Sequence, residues 1–120
     1  MNEKLTDFRQ LNVWQKAHQL VLDIFELTKK FPKEDKSEIA SQIRSAATTI
    51  PIKIGEGFMR RNPREKESAY KISQKSLEAL KYYLILSGDL NYIKDTEEIL
   101  LTVEEVGRML NGLVRSTKHK

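Results

Sequence analysis

Seven cationic side chains crowd into residues 53–75: Lys53, Arg60, Arg61, Arg64, Lys66, Lys71 and Lys75. Only Glu56, Glu65 and Glu67 oppose them there, so the surplus of this segment equals the +4 of the whole 120-residue chain. Guanidinium and ammonium groups at this density suit phosphate contacts to RNA or DNA backbones more than base readout. Lys71 and Lys75 stand one helical turn apart, and Tyr70 beside them could act as a stacking group. With Lys53 they could face one side of a single corner. Residues 96–105 are the acidic counterpart, with Glu97, Glu98, Glu104 and Glu105. Such asymmetry points to a polyanion partner or to a charge-complementary self-contact, against the plain alternative of a solvated helix face.

No catalytic constellation accompanies these charges. His18 has no second His and no carboxylate at helical spacing, so it does not read as a metal ligand. His119 lies in the tail. Gly55-Glu56-Gly57 lacks the strand–loop–helix context and the Lys-Ser/Thr ending of a phosphate loop. No Ser-His-carboxylate set exists, and no cofactor motif is present. The chain has no Cys, which excludes disulfides and thiolate metal sites. A nuclease using Glu56 with a Lys or Tyr is the remaining catalytic alternative; the chain reads instead as non-enzymatic. Glu56 is expected to be structural, paired with a cation from another helix or a neighbouring subunit. Arg44, twelve residues earlier, would be ~18 Å away along one helix.

The elements that must position these groups are helical. Val13, Ala17, Leu20, Ile24, Leu27 and Phe31 recur in steps of 4 and 3, which predicts helix 1 over roughly Asn12–Lys30, with Asn12 as N-cap and Pro32 as stop. Phe8 and Leu11 precede it and require a burial site. Ile39, Ile43, Ala46, Ile50 and Ile54 define helix 2, beginning near Glu34-Asp35. Pro51 falls inside it, at a cost of ~3 kcal/mol or more. A strand here would have a central Pro and no partner, so a helix kinked at Pro51 is preferred, with Ser45 or Thr48 hydroxyls on the freed carbonyls and Gly57 as αL terminator.

Asn62-Pro63-Arg64-Glu65 is a strong start signal, with Asn62 as cap and Glu65 completing a capping box. Helix 3 then runs toward Leu90 with Asn91 in αL. Asp95 with Glu98 opens helix 4, which carries Ile99, Val103, Val106, Leu110 and Leu113. Close helix approach would account for Gly107 and Gly112, and the tail 116–120 is expected to fray. Together these predict an all-α, antiparallel up-down-up-down four-helix bundle, a single domain with its core at about 8–115, in which helices 1 and 3 are the long ones. Phe8, Leu22, Tyr70, Tyr82, Tyr83, Ile85 and Met109 lie off the main seams, which predicts self-association through the outer surface. No apolar run approaches ~18 residues, and the N-terminus lacks a signal-like segment, so the expectation is a soluble cytoplasmic protein without membrane partners.

Leu11-Asn-Val-Trp-Gln-Lys-Ala17, Phe31-Pro32, Ser41-Gln-Ile-Arg44-Ser-Ala-Ala47 and Ile50-Pro-Ile-Lys-Ile-Gly-Glu-Gly57, extended by Ser76-Leu-Glu78 and Leu90-Asn-Tyr-Ile93, resemble the bacterial four-helix-bundle family encoded in intervening sequences of 23S ribosomal RNA genes. The resemblance covers residues 8–115. It implies a ring-like homopentamer and nucleic-acid binding through basic surfaces. It also implies relatives that serve as accessory partners of a reverse transcriptase in diversity-generating retroelements. Arg44, Pro51, Glu56 and Gly57 match the family pattern and read as structural signature. Lys53, Gly55 and Lys75 depart from it, standing where Asn, Ala and Gly are usual. Two functional readings follow: an oligomeric bundle that binds RNA or DNA through residues 53–75, and a scaffold or adaptor for a nucleic-acid enzyme whose basic face meets an acidic protein.

Overall fold

The structure, a computed structural model, describes residues 5–118, with residues 34–37 described in backbone only. A short 3-10 turn at Phe8–Gln10 precedes four helices: α1 (Asn12–Thr28), α2 (Lys33–Met59), α3 (Pro63–Asp89) and α4 (Glu97–Ser116). Each helix packs on the next and α1 closes on α4, which makes the up-down-up-down bundle, a rod of 51 × 26 × 20 Å. The longest pair is α2 and α3, at 27 residues each, whereas α1 has 17. No helix among the described residues is long and apolar enough to cross a membrane.

The predicted seams line one core. Leu20, Ile24, Ile43, Ile50, Ile54, Leu80, Leu84, Val106 and Leu110 are all fully buried there. Burial of each such side chain contributes about 1.5–3 kcal/mol. α2 runs through Pro51 without interruption. The hydroxyls of Thr48 and Thr49 donate to carbonyls of residues 44 and 45, in the turn before the proline. The cross-helix support comes from α3: the buried Ser73 hydroxyl donates to the Ile50 carbonyl at 2.8 Å, at the peptide bond that enters Pro51.

Several terminus assignments change. Asn12 is the first helical residue and not a cap; the N-terminal capping box sits earlier, between Asp7 and Gln10 of the 3-10 turn. The Arg9 guanidinium holds the Asp7 carboxyl down to about 2, from an ordinary 3.8. The Glu34 and Asp35 side chains, and His119, lie outside what the structure describes. Asn62 does cap α3, accepting from the Arg64 and Glu65 amides at 2.8 and 3.4 Å. Glu65 leaves the capping box unfinished and turns toward Arg60, 3.8 Å away. Asn91 takes φ 65° as expected. The Tyr92 amide reaches the Ser87 carbonyl and the Asn91 amide the Gly88 carbonyl, a Schellman closure of α3. Asp95 accepts from the Glu97 amide at 2.9 Å, and Thr96, between it and the helix, makes no side-chain cap bond. The segment through Lys118 is fastened, not frayed: Thr117 is buried, and Lys118 pairs with Glu67 at 2.8 Å.

Gly57 is not a left-handed terminator. It lies inside α2, and no glycine among the described residues has positive φ. A Cβ there would lie 2.4 Å from the Tyr70 ring. Tyr70 is 3 % exposed. The glycine is therefore the space the ring occupies, and the tyrosine is a core residue, unavailable for stacking on a ligand. Close approach does not account for Gly112, whose added Cβ would meet only the Arg115 guanidinium at 3.8 Å, and Gly107 has only the Leu77 methyl at 3.4 Å.

Two stability outcomes follow. Gly57→Ala gains about 1 kcal/mol of helix propensity but overpacks the ring at a typical cost of 1–3 kcal/mol, so urea denaturation should show a net loss. In a Tyr70→Leu background the same substitution should become neutral or stabilising; an unchanged cost would refute the ring contact. The fully buried Ser87 hydroxyl has no hydrogen-bond partner among the described residues. Ser87→Ala should therefore leave the urea midpoint unchanged or raise it.

Candidate nucleic-acid interface

α2 and α3 meet at a three-residue connector, Arg60–Asn62, because α2 stops at Met59 and the Asn62-Pro63 cap starts α3 at once. All seven predicted cations are exposed or half-buried, in the connector or on the two helices that meet there, but the structure divides them into groups with different tasks.

Lys66 is a structural group. Its ammonium donates to the Gly57 and Phe58 carbonyls at 3.0 and 2.9 Å, satisfying the last turn of α2. It also lies 5.6 Å from the centre of the Phe58 ring. Burial lowers its pKa from the ordinary lysine value, while the two carbonyls oppose that loss by favouring the charged form. A cation at a helix C-terminus also complements the negative end of the dipole.

Lys53 is neutralised within its own helix. Its ammonium lies 3.0 Å from the Glu56 carboxylate, one turn later. That pair gives Glu56 a partner on its own helix, where the sequence points to another helix or a neighbouring subunit. Both side chains line a hollow between α2 and α3 with Arg60, Glu65, Ala69 and Ile72. Lys53 thus faces this hollow instead of joining the α3 lysines on one side.

Arg64, Lys71 and Lys75, spaced by 7 and 4, form a stripe along the outer face of α3. It lies about 100° around the helix from the Glu65–Ala69–Ile72 side, at 3.6 residues per turn. Lys71 pairs with Glu67 at 3.3 Å, and Glu67 also receives Lys118 from the end of α4. Those hydrogen bonds, Lys118 first, hold the Glu67 carboxyl below its usual range. Arg61, Arg64 and Lys75 are exposed and have no ion pair among the described residues. Arg60 is only loosely engaged by Glu65. The available cations are therefore Arg60, Arg61, Arg64 and Lys75, with Lys71 and Lys118 sharing one carboxylate.

Arg44, read as signature, fastens the other end of the rod. Its Nε donates to the buried Thr28 hydroxyl at 2.8 Å, and its guanidinium sits 4.6 Å over the Phe25 ring. It therefore ties the last turn of α1 to α2 and takes no part in the corner.

Two features escaped the sequence. Lys118 joins the basic face through a contact 51 residues away in sequence. Beside the corner, a groove of about 530 Å³ opens between the N-terminal segment and α2, lined by Phe8, Trp14, Pro51, Ile52, Gly55, Glu56, Met59 and Arg60. Phe8 packs here, half-buried: a Cβ at Gly55 would lie 3.3 Å from its ring, and its centre is 5.4 Å from that of Trp14. His18 stacks on Trp14 at 5.0 Å, which gives it an aromatic partner. Among the described residues no group of three His, Cys, Asp or Glu side chains is placed to hold a metal ion.

Lys66→Met and Arg64→Met separate the two kinds of cation. Lys66→Met should cost about 1–2 kcal/mol in urea denaturation, because it leaves helix-end carbonyls without their charged donor. Arg64→Met should leave the midpoint within about 0.5 kcal/mol, as for other surface changes. Equal stability of the two variants would refute the capping role.

In comparison with known proteins, residues 9–112 match the model of a family described as 23S rRNA-intervening sequence protein. No curated protein matches the chain.

Proposed function

Because this chain belongs to the 23S rRNA-intervening sequence protein family, we propose that it is a non-enzymatic, oligomeric helical bundle that binds RNA or DNA backbones through the α2–α3 corner. The observation that carries this reading is the set of exposed cations without ion pairs among the described residues, Arg61, Arg64 and Lys75, beside the loosely engaged Arg60. Arginine forks suit phosphate oxygens, and an unpaired surface cation gives up no protein contact when it binds one. Lys53 and Lys66, committed to Glu56 and to the α2 carbonyls, make no direct phosphate contacts. Glu56 is held by Lys53, and we assign it no catalytic role.

The oligomer would form through the apolar side chains left outside the core: Leu22 and Phe25 on α1, Tyr82 and Ile85 on α3, and Leu101 on α4 are 37–63 % exposed. The resemblance implies five copies, and we place the assembly in the cytoplasm. The same exposed side chains also favour the second reading, a scaffold for a nucleic-acid enzyme such as a reverse transcriptase. A pull-down that still recovers a protein partner after nuclease treatment would favour that reading over direct binding.

Titration of a 20-base-pair duplex against salt tests the first reading. Wild type should show a log–log slope steeper than −3, and Arg60/Arg61/Arg64→Ala should flatten it by about 2–3 and weaken binding alike across sequences. Salt-independent or absent binding to every polyanion tested would overturn it. Light scattering checks the assembly: a monomer at micromolar concentration would remove the oligomer from the proposal.

A further inference from the structure

The apolar groove lies against the basic corner and shares two residues with it. Glu56 and Arg60 line both this groove and the charged hollow between α2 and α3. We infer that the groove takes an unpaired nucleobase from a strand whose phosphates are held by Arg60 and Arg61. The inference rests on the backbone-binding reading above and names the form of nucleic acid that the corner prefers.

Three observations support it. First, the lining is apolar and partly aromatic. Ile52 and Met59 remain 55 % and 67 % exposed on α2, opposite the Phe8 and Trp14 rings. Exposed apolar and aromatic surface next to cations is what single-strand binding uses, because every base has a π-face and every nucleotide a phosphate. Second, the mouth is positive. Glu56 is already paired with Lys53 at 3.0 Å, while the Arg60 side chain is 57 % exposed and Arg61 has no ion pair among the described residues. An occupant that is apolar at one end and anionic at the other matches this arrangement. A second copy docked by the same surface would bring like charges together. Third, Glu56 is paired with Lys53 and Arg60 is placed on a phosphate, so among the lining side chains only the Trp14 ring N–H is left to meet a base edge. Binding should tolerate any base, whereas a duplex, whose bases are stacked and paired, cannot fill it.

Trp14 is the only tryptophan of the chain, so its fluorescence reports on the groove without a label. The full-length protein should be titrated with a 12-nucleotide single strand, the same strand carrying abasic sites, and the corresponding duplex. The intact strand should quench Trp14 and bind more tightly than the abasic strand by about 5- to 100-fold. Ile52→Ser and Met59→Ser, both at exposed positions, should abolish that preference while leaving duplex affinity unchanged. Equal affinity for the three ligands without Trp14 quenching would overturn the groove assignment and leave backbone binding intact. Failure of all three to bind would overturn the underlying reading as well. If Ile52→Ser or Met59→Ser instead lowers the mass seen by light scattering, a second copy covers the groove and the inference is wrong.

Discussion

The packing of α2 against α3 depends on position 57 having no side chain. The Tyr70 ring fills the space in which a Cβ would stand, 2.4 Å from the nearest ring carbon. With the ring seated there, the last turn of α2 stays helical to Met59, and its terminal carbonyls come within reach of Lys66. The connector can then be three residues long, and the arginines within it are held between two rigid helix ends. Loops this short carry little freedom, so the charges they bear are already placed before a ligand arrives.

The field at this corner is that of the side chains more than that of the backbone. The negative end of the α2 dipole and the positive end of the α3 dipole meet there and largely offset each other. Lys66 compensates the first, and Glu65 stands in the first turn of the second. What remains uncompensated among the described residues is the guanidinium charge of Arg61 and Arg64 and the ammonium of Lys75, which lie on the outer surface where ions screen them over about 10 Å at 0.1 M salt. The opposite end of the rod is closed differently, by Arg44 on Thr28 and Phe25 and by the Schellman turn at Asn91.

Helix number, order and core were legible because apolar spacing reports burial directly: Ala17, Leu20, Ile43, Ile50, Leu80 and Val106 are all as buried as their stripes imply. Asn62-Pro63 and Asn91 were legible because each has one conformational use at its position. Gly57 was misread because glycine has two uses that look alike in one sequence, a left-handed turn and a close contact, and only Tyr70 distinguishes them. The candidate site was less legible. Charge type does not reveal where an ammonium is aimed, so Lys66 and Lys53 were grouped with Arg61 and Arg64 although they bond to α2 carbonyls and to Glu56. Lys118 and the Phe8–Trp14 groove depend on contacts between residues distant in sequence, which no local pattern encodes.

An even number of alternating helices brings the described ends of the chain to the same end of the rod: Phe8 lies against Gly55 and Lys118 against Glu67, both beside the α2–α3 corner. Tension applied between those ends would not shear the bundle along its length. It would peel α1 and α4 away turn by turn, starting with the Lys118–Glu67 pair, and leave the α2–α3 hairpin for last. The molecule should therefore be mechanically soft when pulled by its ends and stiff when loaded across α2 and α3.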